Sequence, residues 1–456
     1  MTSRRLLLQN PALLGFLLAF FFVLRIFCLL QPHLFTFDEG VYSALGFQLR
    51  HSPTNYSTAT IHSILDRFGP HQMEYLNRPL FKQPPVYPMM IALSYRLLGC
   101  HVFAALLPTL LAWVGICLMT RKIATELFGP AVGFIAYCLV LIDPMGWALS
   151  MKIFSECLLA FLSLWGLWLY LRNFRSGSLF LCGAVLGLGC LVKYQTLIYL
   201  GTMFLHLGIL RSYKKMPALG ISFGLVVTPW VITQAFVYRS DLWTRVHGDF
   251  FMPNEFLAKI GILAIFCYIV LQPLLARWNK SGLWERPLGS RLTRWVLFLL
   301  MAIPVGLFAN RAIGIFQWDS LPLTSFLWDF SDVAGFYFFQ PLLFLPFLIL
   351  VPLSPLCLAK PENPARIYLI FTLIALFFIM ATFWQNPQIR YIYPVVPLLI
   401  ILAAATGREL WEKAFSRSDP VGRIAQVAIA CLALFFFAKT LRNDWFFGFV
   451  NQAGRF

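Results

Sequence analysis

The sequence predicts a membrane all-α fold, a polytopic helical bundle of about 13 transmembrane helices. Three observations carry this. Hydrophobic residues make up 59% of the 456 residues and charged residues only 12%, against about 25% charge in soluble domains. Apolar runs of about 18 residues or more recur along the whole chain, and in hydrocarbon such runs must fold as helices to satisfy their own backbone. Lys and Arg fall in short clusters between these runs, as cytoplasmic loops do. The mean hydropathy of +0.74 agrees, and the 46 Phe and 14 Trp suit lipid-facing surfaces and interfacial belts.

A net charge of +17 does not signal a nucleic-acid partner, because the basic residues are dispersed between apolar spans rather than gathered on one face. The 10 cysteines are scattered without a C-x-x-C pair, which is the pattern of small packing residues and supports neither a disulfide framework nor a zinc site. The amino-terminal apolar run follows Arg4 and Arg5 but is too long for a signal peptide and has no small-residue cleavage site. It is an anchored span.

In chain order, the first span covers Pro11 to Leu30 and leads into a long polar segment, His33 to Pro85. The apolar stretch Val86 to Gly99 is too short to cross a bilayer and reads as a helix lying at the outer interface after the Pro84-Pro85 break. The second span (Val102 to Met119) ends at Arg121-Lys122, the third (Ala131 to Leu149) returns outward, and the fourth (Ser155 to Leu171) reaches Arg172 and Arg175. The fifth and sixth (Leu179 to Leu197, Ile198 to Leu210) form a tight pair, and the seventh covers Ala218 to Tyr238. The eighth (Leu257 to Ala276) meets the most basic loop; the ninth (Trp295 to Ala309), tenth (Val333 to Leu358), eleventh (Ile367 to Phe383) and twelfth (Tyr393 to Ala405) follow. A loop, Gly407 to Arg423, precedes the thirteenth, Ile424 to Ala438. The whole of 1–456 is expected to be one membrane domain, with 33–101 its first outer loop and no separate carboxyl-terminal soluble domain.

This topology assigns about 20 of the Lys and Arg residues to the cytoplasmic side. Few acids join them: Glu126, Glu285, Glu362, Glu409, Glu412 and Asp419. Acids therefore concentrate on the outer side, as an outward-facing active site would require. No heptads, solenoid repeats or inverted halves are visible, which argues against repeat-built transporters.

Candidate chemistry begins at Asp38-Glu39, directly after the first span and at the start of an apolar-periodic stretch (Val41, Leu45, Leu49). A carboxylate at the positive end of a helix stays ionised and suits a general base for an incoming hydroxyl or amine; first-turn acids of an ordinary helix cap fit the same residues. Lys82 precedes the proline-stiffened start of the interfacial helix, where a cation either binds a lipid phosphate or snorkels to the interface. From Asp143-Pro144 the chain runs through Ser150, Lys152, Ser155 and Glu156; Lys152 and Glu156 are spaced to share a helix face and to pair. Lys193 and Arg390-Tyr391 are further ionisable groups at span ends, and such groups are functional candidates or structural pairs. All lie on the outer side of the expected topology. Carboxylates that activate an acceptor, with cations for a departing phosphate, fit transfer of a group from a lipid phosphate.

In order and spacing these pieces resemble the GT-C class of polyprenyl-phosphate-dependent glycosyltransferases, in particular bacterial relatives of protein O-mannosyltransferases and of the lipid A aminoarabinose transferase. The matching stretches are Asp38-Glu39, LFKQPPVYP before the short helix, Ser155-Glu156, LVK at Lys193, and RYIYPVVP from Arg390 to Pro397. The resemblance implies a hexosyl or pentosyl transferase acting with inversion at the outer face of a bacterial plasma membrane. Its donor would be a polyprenyl-phosphate-linked sugar and its acceptor a lipid, a glycan or a protein. Asp38 would be the catalytic base and Glu39 would support acceptor or cation binding. Lys82, Arg390 and Lys193 would hold the donor phosphate and Glu156 would be a second acid near the sugar, with Tyr42, Tyr87, Lys152 and Tyr391 also lining the substrate. No metal site is expected: His51, His62, His71 and Glu74 are too widely spaced, and a divalent cation is the one cofactor left open. The competing reading is a transporter or a flippase for a lipid-linked sugar.

Overall fold

In a computed structural model, residues 10–29, 36–54, 56, 83–174, 177–237, 346–354, 358, 364–382 and 389–415 are described, and all regular structure among them is helical. The eighth, ninth and thirteenth expected spans, and most of the tenth, lie outside these residues. Three helices among those described are long and apolar enough to cross a membrane, or four when one bent pair counts as a single span. Two compact units are distinguished: Met1–Leu34, Leu110–Lys152 and Leu288–Phe456 form one, and Phe35–Thr109 with Ile153–Pro287 the other.

In the first unit, α1 (Pro11–Leu29) starts where Asn10 accepts a hydrogen bond from the Ala12 amide and Pro11 takes the first helical position. Helix α4 (Val102–Phe128) follows α2 (Phe37–His51) and α3 (Val86–Leu98) in the chain. It does not stop before Arg121-Lys122 but carries them as helical residues, because Ile123 and Ala124 beyond them are buried and keep that face packed. Gly129, at φ +86°, ends it, and Pro130 opens α5 (Pro130–Leu141). The expected third span is broken. Asp143 accepts from the Met145 and Gly146 amides and Pro144 cannot donate, so a new short helix, α6 (Pro144–Ser150), leaves α5 at 55°.

The tenth span was expected to run to Leu358 as one helix. Its described part is a 3₁₀ helix, Pro346–Leu350, followed by turns at 351–353, because Pro352 removes the amide an α-helix would need there. Farther along, α11 (Pro364–Thr382) and a 3₁₀ helix (Ile389–Val395) precede α12 (Val396–Phe415). The last of these continues well past Ala405, held by Arg408–Glu412 and Lys413–Glu409 pairs one turn apart.

The second unit contains α2 and α3 together with α7 (Glu156–Asn173), α8 (Phe180–Cys190), α9 (Thr196–Ile209) and α10 (Met216–Val237). Helix α2 buries Val41, Leu45 and Leu49, the periodic positions of the sequence, against Tyr56, Ala92, Leu191 and Trp230. It lies on α3 with unusual closeness. Tyr42 meets Tyr87 edge-to-face at 4.9 Å, a Cβ on Gly46 would fall 2.4 Å from Ile91 Cγ2, and the Arg50 carbonyl accepts from Arg96 at 2.9 Å. The two helices therefore run parallel and in step. The Val86 amide, unpaired within its own helix, donates to the Leu191 carbonyl at 3.0 Å.

Helices α8 and α10 cross where Gly183 and Gly187, one turn apart, let the backbones approach, the small-x-x-x-small device of membrane helices. A Cβ on Gly183 would stand 2.2 Å from the Leu219 carbonyl oxygen, whereas one on Gly201 meets nothing within 4 Å. Gly183→Ala is therefore expected to lower stability by about 1–3 kcal/mol through overpacking, with Gly201→Ala near neutral. Thermal unfolding of the two variants in detergent checks this.

Candidate active site

The chemistry-bearing residues of the second unit gather at the amino-terminal ends of α2, α3 and α7. Thr36 caps α2, and Glu39, the third helical residue, reaches back: its Oε2 accepts from the Thr36 amide (2.9 Å) and hydroxyl (3.0 Å). Glu39 is fully buried, and its Oε1 accepts from the Ile153 amide at 3.0 Å. These bonds make Glu39 an anchor between the start of α2 and the strand of chain that leads into α7. Asp38, beside it on the same first turn, is half-buried. Of the two adjacent acids, the one with access to a ligand is Asp38.

A second tie lies one turn further along. The Tyr42 and Ser155 hydroxyls are 3.0 Å apart, and Ser155 takes the capping position of α7. Tyr87, completely buried, pairs with the Thr109 hydroxyl at 2.7 Å, and Thr109 in turn donates to the Phe154 carbonyl. Burial holds the Tyr87 phenol well above its usual range, so it stays protonated and acts as a neutral donor. Tyr42, Tyr87 and Glu39 thus converge on residues 153–155.

Glu156 opens α7 and is 2% exposed; its Oε1 is 2.8 Å from Lys193 Nζ. Lys152 and Glu156 do not share one helix, because residues 151–155 are turn and coil rather than helix. Glu156 takes a partner 37 residues away, on the turn between α8 and α9. The site therefore offers one accessible carboxylate, Asp38, and an ion pair with its carboxylate buried and its ammonium half-buried, on a scaffold of tyrosines. Among the described residues no three His, Cys, Asp or Glu side chains are grouped to hold a metal; His51 is exposed, and His62, His71 and Glu74 lie outside the described residues. Lys82 lies outside them as well, immediately before Gln83.

In the first unit, Arg390 is 6% exposed on the 3₁₀ helix 389–395, its guanidinium 5.6 Å from the Tyr391 ring. Lys152 is buried on the turn after α6. Sequence reasoning passed over Arg25, which is fully buried in α1. Its guanidinium is sandwiched by Trp113 and Trp147, 3.5 and 4.0 Å from their ring centroids, and Nε donates to Ser150 Oγ at 2.9 Å. The signal was present: an ionisable residue inside an apolar span is a candidate by that fact alone.

A family model described as dolichyl-phosphate-mannose-protein mannosyltransferase matches residues 82–232, the stretch that holds Lys82, Tyr87, Lys152, Glu156 and Lys193. No curated protein matches the chain in sequence. Among solved structures, ArnT from Cupriavidus metallidurans bound to undecaprenyl phosphate superposes with a TM-score of 0.55 at 14% identity, covering 98% of this chain and 76% of that one. The Archaeoglobus fulgidus oligosaccharyltransferase AglB, in complex with an inhibitory peptide and a dolichol-phosphate, gives 0.51 at 14% identity over 94% of this chain and 55% of that one. This chain thus spans about three quarters of the first relative's length and about half of the second's. At these identities the likeness is one of fold. The resemblance to GT-C membrane enzymes is shown, in fold across nearly the whole chain and in sequence across 82–232.

Breaking the ion pair of this site is expected to cost more than removing it. Lys193→Met should lose about 3 kcal/mol, because the Glu156 carboxylate stays buried without its ammonium. The double variant Lys193→Met/Glu156→Leu should recover most of that. A double-mutant cycle on unfolding in detergent measures the coupling.

Proposed function

We propose that the protein is an integral membrane glycosyltransferase that moves a sugar, with inversion, from a polyprenyl-phosphate carrier to a lipid, glycan or protein acceptor. The observation that carries this reading is Asp38, a half-buried carboxylate on the first turn of α2, one turn before Tyr42, which meets Tyr87 at the opening of α3. The likeness to an undecaprenyl-phosphate-bound structure and a dolichol-phosphate-bound structure supports the donor class. The match to a dolichyl-phosphate-mannose family model supports it too.

In this reading the acceptor hydroxyl or amine gives its proton to the Asp38 carboxylate as its oxygen or nitrogen attacks the anomeric carbon. The bond from that carbon to the phosphate oxygen breaks on the opposite face, which inverts the configuration, and the carrier leaves as the polyprenyl phosphate. The leaving group gains negative charge, so Lys82 and Arg390 act on it electrostatically, where a preorganised donor is worth several kcal/mol. Glu156, held by Lys193, lines the sugar side with Tyr42 and Tyr87, and Lys152 and Tyr391 complete the substrate contacts. Glu39 serves the same centre by fixing the turn that bears Asp38. The chain crosses a bacterial plasma membrane about 13 times as one domain, its site facing outward; activity with and without a chelator decides whether a divalent cation takes part.

The test is transfer by purified protein in lipid, with radiolabelled polyprenyl-phosphate sugars and a membrane extract as acceptor. Asp38→Asn should lower turnover by about 10²–10⁴-fold while donor binding persists. Wild-type protein that transfers no label, yet carries labelled lipid across the bilayer, would establish the flippase instead.

A further inference from the structure

Helix α3 is too short to span: its 13 residues reach about 20 Å, against about 30 Å of hydrocarbon. Yet it exposes a continuous apolar stripe one turn apart, Met89 (47%), Leu93 (56%) and Leu97 (74%), opposite the face that buries Tyr87, Ile91 and Tyr95. The stripe ends in a basic corner. Because α2 and α3 run parallel, their carboxyl-terminal ends coincide, and Arg50 and Arg96 come together there. Arg96 is held rather than loose: Nε (3.2 Å) and Nη2 (2.9 Å) both donate to the Arg50 carbonyl. Arg50 in turn donates through Nη1 to Cys100 Sγ.

Two helix ends present roughly half a negative charge each, which two guanidinium groups exceed, so the corner is net positive. No Asp or Glu occurs among the described residues from Gly40 to Val102. An exposed apolar face bounded by fixed cations is the arrangement of a helix lying in a bilayer interface. We infer that Arg50 and Arg96 bind the phosphate of an anionic membrane phospholipid while the Met89–Leu93–Leu97 stripe rests on its acyl chains. The corner lies about 18 Å along α2 from Asp38, so it is distinct from the site of sugar transfer and independent of that function.

The test uses the full chain in nanodiscs of equal phosphatidylcholine and phosphatidylglycerol, with the lipids retained on the protein counted by native mass spectrometry. Wild type should retain phosphatidylglycerol preferentially, and the preference should fall about fivefold for each guanidinium removed in Arg50→Gln and Arg96→Gln. Lys214→Gln, an exposed lysine in the 3₁₀ turn before α10, should leave it unchanged. An unaltered preference in the Arg50→Gln/Arg96→Gln protein overturns the inference. So does an equal fall in Lys214→Gln, which would mean diffuse attraction to a cationic protein. If the double variant does not fold, Arg96→Lys is read instead: it keeps the charge, so a preference lost in that folded variant also overturns the inference.

Discussion

The close parallel packing of α2 on α3 depends on a missing side chain. With any Cβ at Gly46 the two helices would have to separate at Ile91, and two contacts would move at once. The Tyr42–Tyr87 contact would open and Arg96 would leave the Arg50 carbonyl. The geometry of Asp38 is thus decided by packing two turns away from it. Glu39 and Tyr42 finish the job by tying the same helix to residues 153 and 155, so the acid is braced from two directions.

Several buried polar groups among the described residues are met within their own turn or by a single neighbouring segment. The Glu39 carboxylate takes an amide and a hydroxyl of its own cap and one distant amide; Asp143 takes two amides of the turn it starts; the Val86 amide is met by a neighbouring helix end. A buried group left unmade costs far more than a made bond contributes. That asymmetry explains why breaks in these helices fall where a side chain can cap them, as at Asp143-Pro144.

Much of this was legible in the sequence because it depends on local pattern. Composition and run length foretold membrane helices, the Val41-Leu45-Leu49 period foretold the buried face of α2, and Pro84-Pro85 foretold where α3 begins. The motif order foretold the GT-C fold. What the sequence concealed depends on tertiary contact. The pairing of Glu156 with Lys193, 37 residues away, could not be chosen among distant cations, and the helical periodicity extended through residues 151–155 is interrupted there by turn and coil. Helices continue beyond the expected span ends where packing outlasts hydropathy, as at Arg121-Lys122 and after Ala405. Arg25 and the Gly183/Gly187 pair were readable in principle, since each is a residue whose cost inside a membrane helix calls for a reason.

The neighbouring acids Asp38 and Glu39 differ by a single methylene, and the fold makes that difference matter. Glutamate is long enough for one oxygen to reach back to Thr36 while the other reaches the Ile153 amide; aspartate at that position could serve one or the other. At position 38 the carboxylate is half-buried rather than fully buried. The dipeptide is therefore directional: exchanging its two residues would preserve composition and charge and yet leave the cap, the brace and the accessible carboxylate all out of place.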